Sequence, residues 1–579
     1  MTTTLQDNQR QGGIIARLKV WRAKRRVSPG WTVVVALTTA LLVMPIVSIV
    51  VLAFAPGDGV WQHLLRTTLP GSIMRTVWLM VGVGTITLVV GTSTAWLVTM
   101  YRFPGRDRLD WLLVIPLAMP TYIIAFCYVE ILDYAGSLQT TLRTLNGWQN
   151  SRDYWFPEIR SLGGAIFVMS FVLYPYVYLS ARASFLQQSV CTLEVARTLG
   201  ETPAGTFWKV ALPLARPALA AGVSLALMEC LNDIGAVEYL GVTTLTVSVY
   251  TTWLERSSLS GAAQIASVML AVVFMLLVME RAARGQRQFH HTTGRYRAMP
   301  PRALKGPARI AATTACTVPF LIGFAFPVVV LVQDSITFAE DALTNAFWQA
   351  ALNSMLLGLG AAAIGVVVAL TLAYAKRVAP NGFTRPAVRL TSLGYAVPGT
   401  VLAVGLLIPL AGLDNLLDGF ARERFGVSTG LIMSGSVFAL LFAYTVRFMP
   451  IGLGAIESGF DRISPNLDAA ARTLGQSAMS TLTRVHLPLM QSALGAAALL
   501  IFVDTMKELP ATLLMRPFNF ETMATHVYQF ASLEQFEEAA IGALTIVLIG
   551  LLPVILLHRA IAKGRTGGGV AHLPGDAEL

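Results

Sequence analysis

Charge is scarce in this chain. Only 13% of its 579 residues are Asp, Glu, Lys or Arg, 55% are hydrophobic, and the mean hydropathy is +0.62. That balance excludes a soluble protein of this length. Cysteine is scarcer still. Cys127, Cys191, Cys230 and Cys316 lie far apart with no CxxC spacing, which excludes a disulfide framework and a zinc ribbon. Three of them fall in apolar runs and read as small packing residues. The seven histidines show no ligand spacing, and His290-His291 sits in a basic stretch where solvation is expected. None of the seven lysines stands in a Gly-Lys-Ser/Thr sequence, so the chain has no Walker A loop to hold phosphates and magnesium. No nucleophile and base are paired in the sequence either. The expectation is a non-enzyme with no catalytic residues, no metal ligands and no cofactor.

Long apolar runs fill the space that charge leaves. Runs of about 20 residues cross a bilayer as helices, and twelve are found. Six lie in the first half, at 31–54, 73–100, 111–134, 163–183, 218–240 and 262–278. Six lie in the second, at 310–333, 350–375, 388–412, 430–456, 492–514 and 538–557. The expected fold is an all-α polytopic membrane protein of two pseudo-symmetric six-helix halves. Its parts are a basic arm (1–30), a first half (31–283), a basic linker (284–309), a second half (310–558) and a tail (559–579). The first run is too long for a signal h-region, so Ala53-Phe54-Ala55 is not expected to be a cleavage site.

Basic residues sort by side. Of the 43 Lys and Arg, 32 fall in the arm, the linker, the tail and the loops on the same side, against nine on the other. The positive-inside rule then puts both termini in the cytoplasm. The formal net charge of +11 is thereby a topology signal. Charges spread over seven loops without interleaved aromatics argue against a nucleic-acid partner.

One tract occurs twice. Residues 194–219 and 469–494 share twelve of 26 positions, among them Ala196-Arg197-Thr198-Leu199-Gly200 with Leu212-Pro213, and Ala471-Arg472-Thr473-Leu474-Gly475 with Leu487-Pro488. Each tract lies on the cytoplasmic side between the fourth and fifth runs of its half. Glycine permits a left-handed helix stop, Pro203 opens the next short helix, and Ser464-Pro465 opens the second copy. An amphipathic helix lying flat on lipid is the alternative to a docking element. Strict repetition of turn and spacing favours a protein partner.

The pattern Glu-x-Ala-x-x-x-Gly, nine residues, then Val-x-Leu-Pro resembles the signature loop of permease subunits of binding-protein-dependent, ATP-driven importers. Glu194, Ala196, Gly200 and Pro213 match it, whereas the second copy has Ala469 at the acidic position and Asp468 just before it. The resemblance implies a type I importer fold and places a cytoplasmic ATPase on both loops, hence two ATPase copies. The loop contacts would include Arg197, Leu212, Arg472 and Leu487. A second resemblance, carried by residues 228–235 and 502–522, is to fused ferric-iron permeases. It implies iron(III) as cargo in preference to thiamine, polyamine or phosphonate, a periplasmic ferric-binding protein as partner, and an inner-membrane location. An ion-coupled secondary transporter is the competing class.

Several ionisable residues fall at bilayer depth. Glu229 and Asp504 lie 11 to 12 residues into their runs, with Asp233 and Glu508 expected one turn later on the same face and Asn232 and Lys507 adjoining. Buried ionisable groups mark a path or gate, or form a structural ion-pair network, and the sequence favours neither. Pro120 and Pro398 should kink the third and ninth helices or expose carbonyls. Arg447 either snorkels or pairs with an acid. The acidic outer segments (Asp334, Glu340, Asp341; Asp414, Asp418, Glu423; Glu534, Glu537, Glu538) are either solvated or a binding-protein surface.

Overall fold

The computed structural model describes residues 29–54, 60–188, 196, 198–284 and 302–564. The basic arm, most of the linker, the tail after 564, Cys191, Glu194, Arg197 and His290-His291 lie outside the described residues. Among the described residues, ten helices are long and apolar enough to span a membrane, or twelve if each of two bent pairs counts as one span. The bends occur where the sequence places its breakers. Arg106–Ala118 and Thr121–Asn146 meet at 93° across Met119-Pro120, and Ala478–Leu489 turns by 80° into Gln491–Met506 at Met490. Pro398 likewise sits just before the helix Gly399–Phe425. Proline cannot donate to the helix behind it, so it opens the next one.

The chain forms two compact units. Of the described residues, the first gathers 29–48, 356–397 and 405–505. In it the opening helix Pro29–Ala53 joins second-half helices: Trp31 packs edge-on to Tyr374 at 5.4 Å, and Asn381 Nδ2 donates to Thr32 Oγ1 at 3.2 Å. Asn345–Val378 and Val437–Asp461 close on Gln491–Met506 through small residues. A Cβ on Gly358 would lie 2.8 Å from Phe502, and one on Gly452 2.8 Å from Ile501. With no hydrophobic driving force between helices in lipid, such close approach supplies the packing energy.

The second unit holds the described residues of 49–355, 398–404 and 506–564. Its centre is a triplet of helices, Leu69–Met100, Leu162–Gln187 and Leu212–Asn232, where Gly91 and Gly222 bring backbones into contact with the Tyr176–Tyr178 segment. Two helices from the second half of the sequence complete it. In the run Pro307–Thr337, Ile322 O accepts from Tyr128 Oη at 3.0 Å, and Gly550 of Phe536–Gly564 lies against the Ala118 carbonyl. Cys127, Cys230 and Cys316 are buried and unpaired, as packing residues should be.

Candidate functional site: two repeated loops and a broken helix

Both repeated loops have one backbone. In the first, Gly200 stands at φ +87° and the Glu201 N–H returns to Ala196 O at 3.0 Å. In the second, Gly475 stands at φ +74° and the Gln476 N–H returns to Ala471 O at 3.0 Å. This six-to-one bond with a left-handed residue is the Schellman helix stop, which satisfies carbonyls the helix end leaves free. Side chains two residues past each glycine then cap the next turn: Thr202 accepts from Gly205 N (3.0 Å), Ser477 from Ser480 N (3.2 Å). Each loop re-enters its long helix through a π-helical turn, Phe207–Ala211 and Leu482–His486, immediately before Leu-Pro. The wider turn makes room for a proline ring that an α-turn would set against a carbonyl.

What the loops present is also matched. Ala196 and Ala471 are buried, each 6% exposed, while Leu199 and Leu474 stand out at 79% and 78%. These two leucines belong with the expected contact residues and were legible only as members of the repeat. Pro213 is half-buried, and Pro488 and Arg472 are exposed. Nothing lies within 4 Å of a Cβ built on either glycine, so the tips are open.

The two loops are fastened differently. In the second, Asp468 does not face outward. Its carboxylate meets Arg377 Nη2 at 2.7 Å and His486 Nε2 at 2.8 Å, and Arg377 also donates to Phe460 O and Ile463 O. Tyr374 Oη donates to Ala478 O at 2.5 Å, and these residues wall a cleft of about 330 Å³ with Pro465, Arg472 and Thr481. In the first loop the described fastening is lighter: Gln188 Nε2 to Ala211 O at 2.9 Å, and the Lys209–Glu201 pair at 2.8 Å, whose lysine is exposed. The helix leading into each loop is anchored by an ion pair of opposite sense. Arg182 holds Asp110 at 2.6 Å, whereas its repeat counterpart Glu457 holds Lys376 at 2.7 Å.

At bilayer depth the structure corrects the expected helix face. Leu212–Asn232 ends before Asp233, whose backbone is extended (φ −68°, ψ 132°), and Gln491–Met506 ends before Lys507. Glu229 and Asp504 stay on their helices, half-buried, while Asp233 and Glu508 leave them. Asp233 Oδ1 accepts from Ala236 N at 2.8 Å, and Glu508 accepts from Ala511 N at 2.9 Å and Thr512 N at 3.0 Å. Each stands one residue before the N-cap, Ile234 or Leu509, of the short helix that follows, Gly235–Tyr239 or Pro510–Met515, and its carboxylate accepts from N–H groups of that helix's first turn. The orphan donors of a helix start are costly without water, and a carboxylate satisfies them and suits the dipole.

Other breaks join this one within the second unit. Thr121 Oγ1, just past Pro120, donates to Asp233 Oδ2, and the Gly399 N–H, just past Pro398, donates to Asn232 Oδ1 at 2.7 Å. A Cβ on Gly235 would lie 2.7 Å from Tyr122 and 2.8 Å from Leu509. The helix starts at 121 and 399 and the two breaks of the fifth and eleventh runs therefore converge in one place. Irregular backbone at that depth persists only where protein or a cavity surrounds it.

The structure narrows two open alternatives. Arg447 is only 6% exposed, with its guanidinium 5.5 Å from the Phe448 ring, so it does not snorkel. Asp414 and Asp418 lie on Gly399–Phe425, which runs past the expected end at 412. Asp414 is buried and caps Met433 N and Ser434 N at 2.8 Å, and Asp418 takes up Thr429 N and Arg422, so both serve their own loop.

Repeated loops on a many-span helical scaffold with broken helices at its middle define a membrane transport permease. A profile described as binding-protein-dependent transport system inner membrane component matches residues 87–284. The Fe(3+)-transport system permease protein FbpB 2 of Haemophilus influenzae is 25% identical over 93% of this chain and 100% of its own length. The ferric transport system permease protein FbpB of Actinobacillus pleuropneumoniae is 21% identical over 94% of this chain and 79% of its own. The sulfate transport system permease protein CysT of Escherichia coli is 30% identical over 44% of this chain and 92% of its own. The chain belongs to the family of binding-protein-dependent transport system inner membrane components, and it carries two permease halves in one polypeptide.

Proposed function

We propose that this chain is the permease of an ATP-driven importer that takes iron(III) from a periplasmic binding protein and releases it in the cytoplasm. The observation that carries the importer reading is the pair of loops: same helix stop, same cap, same π-turn and same exposed leucine, 275 residues apart. Two such tips fit two copies of one ATPase, with Leu199 and Leu474 as apolar knobs and Arg472 beside the second. Both loops and both termini are cytoplasmic in this reading, as the distribution of Lys and Arg supports. Alternating access moves bodies that each combine helices from both halves of the sequence, and the convergent breaks at Asn232-Asp233, Lys507-Glu508, Pro120 and Pro398 form the gate.

Iron is favoured because the relatives named for ferric transport align along nearly the whole chain, while the sulfate and aminoethylphosphonate relatives cover less than half of it. An ion-coupled carrier would leave both loops without work and finds two of its four carboxylates used as helix caps. The test is reconstitution in vesicles with the cognate ATPase and binding protein. ATP-dependent uptake of labelled iron is expected, with none when the ATPase is omitted. Uptake driven by a proton gradient without ATPase would overturn the importer reading, and uptake of sulfate instead of iron would overturn the cargo.

A further inference from the structure

On the side of the second unit away from the first repeated loop, one guanidinium reaches three elements. Arg160 Nε donates to Asp133 Oδ2 at 2.9 Å, its Nη2 donates to Glu534 Oε1 at 2.7 Å, and its Cζ lies 5.0 Å from the centre of the Tyr239 ring. Each of those elements leads back to the convergent break. Thr121–Leu132 starts there and is closed by Asp133, and Gly235–Tyr239 starts there and ends on Tyr239. Glu534 follows Met523–Ser532, the next helix after Pro510–Met515. The Tyr239 ring also meets Phe126 at 4.6 Å and Phe536 at 6.0 Å, so the ion pairs adjoin an aromatic cluster. Arg160 itself precedes Ser161, the N-cap of Leu162–Gln187. At 1.5 Å per residue that helix is about 39 Å long, and just past its far end Gln188 Nε2 donates to Ala211 O of the first loop.

The second copy cannot repeat this tie. Ser161 and Ser436 are matching caps, and Gly435 stands at the position corresponding to Arg160. Ser257 and Glu534 are also matched, each two residues before the helix that follows and each at positive φ, +50° and +60°. Only Glu534 is an acid. A side chain in the left-handed region is strained where glycine would not be, and Glu534 holds that conformation with its carboxylate on Arg160.

We infer that Arg160 is a positioning residue of the transport cycle: it joins the helix entering the first docking loop to the far ends of the gate elements, and it must release them for the permease to open on that side. The assignment rests on the importer reading above. The side chains of Arg160, Asp133 and Glu534 are 33%, 39% and 64% exposed. Ion pairs that open to water are weak, which suits a contact made and broken in every cycle. The tie favours the joined form, and a binding protein that prefers the open form must overcome it. Sequence reading missed Arg160 because its partners lie 27 and 374 residues away.

The test uses the full chain reconstituted with its ATPase and binding protein, with ATP hydrolysis and uptake of labelled iron measured together. In R160Q, hydrolysis without binding protein should rise about threefold, since losing weak ion pairs shifts a two-state balance by that order, and iron taken up per ATP should fall. E534Q, on an exposed turn, should move both in the same direction by less, and R160K should return toward the native values. A brace that served folding alone would lower hydrolysis with and without binding protein together. Unchanged or lowered hydrolysis without binding protein in both R160Q and E534Q overturns the role. R160C/E534C bridged by a bifunctional thiosulfonate should lose the hydrolysis that the binding protein stimulates and regain it with reductant, and undiminished stimulation while bridged overturns the role as well. If the binding protein does not stimulate hydrolysis by the native complex, the importer reading fails and the role falls with it. Stimulation in the native complex with unaltered variants removes the role and keeps the reading.

Discussion

The first and second loops share a backbone but not a foundation. Around Gly475 the loop is tied down by a cluster in which half-buried Arg377 and Asp468 meet buried His486 and Arg377 reaches two backbone carbonyls. Around Gly200 the described ties are one amide and one largely solvent-exposed ion pair. Among the described residues, duplication kept the helix stop, the cap and the exposed leucine and let the supports diverge. The helix leading into the loop carries an ion pair in both copies, but to partners in different places: Arg182 to Asp110 of Arg106–Leu112, and its counterpart Glu457 to Lys376 near the end of Asn345–Val378.

That contrast can be broken by substitution. The largest effect is expected from Arg377→Ala, which leaves the half-buried Asp468 carboxylate with His486 alone and frees two backbone carbonyls, and should destabilise the second loop by about 2–3 kcal/mol. Hydrogen exchange over 465–489 should rise while that over 200–211 stays fixed, and equal rises would refute separate foundations. Next come the caps: Glu508→Ala and Asp233→Ala each leave buried donors without partners, at about 2 kcal/mol. Thermal unfolding in detergent should show both losses, with Glu508→Gln and Asp233→Asn recovering part. Full stability of the alanine variants would return these acids to the category of path residues. Gly200→Val and Gly475→Val place a branched side chain at positive φ in open space, costing about 1–2 kcal/mol locally. Both should reduce uptake per ATP hydrolysed by similar factors, since the tips are matched, and a defect in one alone would end that symmetry. Lys209→Ala should be the mildest, about 0.5 kcal/mol, because its pair is exposed. A shift as large as that of Arg377→Ala would show the first loop to be as firmly held as the second.

Much of this was readable in advance. Apolar runs located the spans, Gly200 and Gly475 located the helix stops, and Pro120 located the break at 93°. The ends of the fifth and eleventh helices were not found, because hydropathy continues through 218–240 and 492–514 while the backbone does not. A local signal was present in the second copy: Pro510 suits the first position of a helix and so marks a new start inside the eleventh run. Arg377 and Asp468, 91 residues apart, could be joined only in three dimensions, and so could Arg160 and Glu534. The exchange of helices between the halves of the sequence leaves no trace in composition, since every apolar face reads alike.

That exchange sets a clock. The second compact unit contains residue 49 and also the helix that runs to Gly564, so it cannot close until almost the whole polypeptide exists. About 500 residues at roughly 5–20 per second means that the earliest helices of this unit wait on the order of half a minute to two minutes for their last neighbour. During that interval the faces that will receive Pro307–Thr337 and Phe536–Gly564 are covered by lipid or by an assembly factor, and synthesis time rather than local helix formation governs when the permease becomes whole.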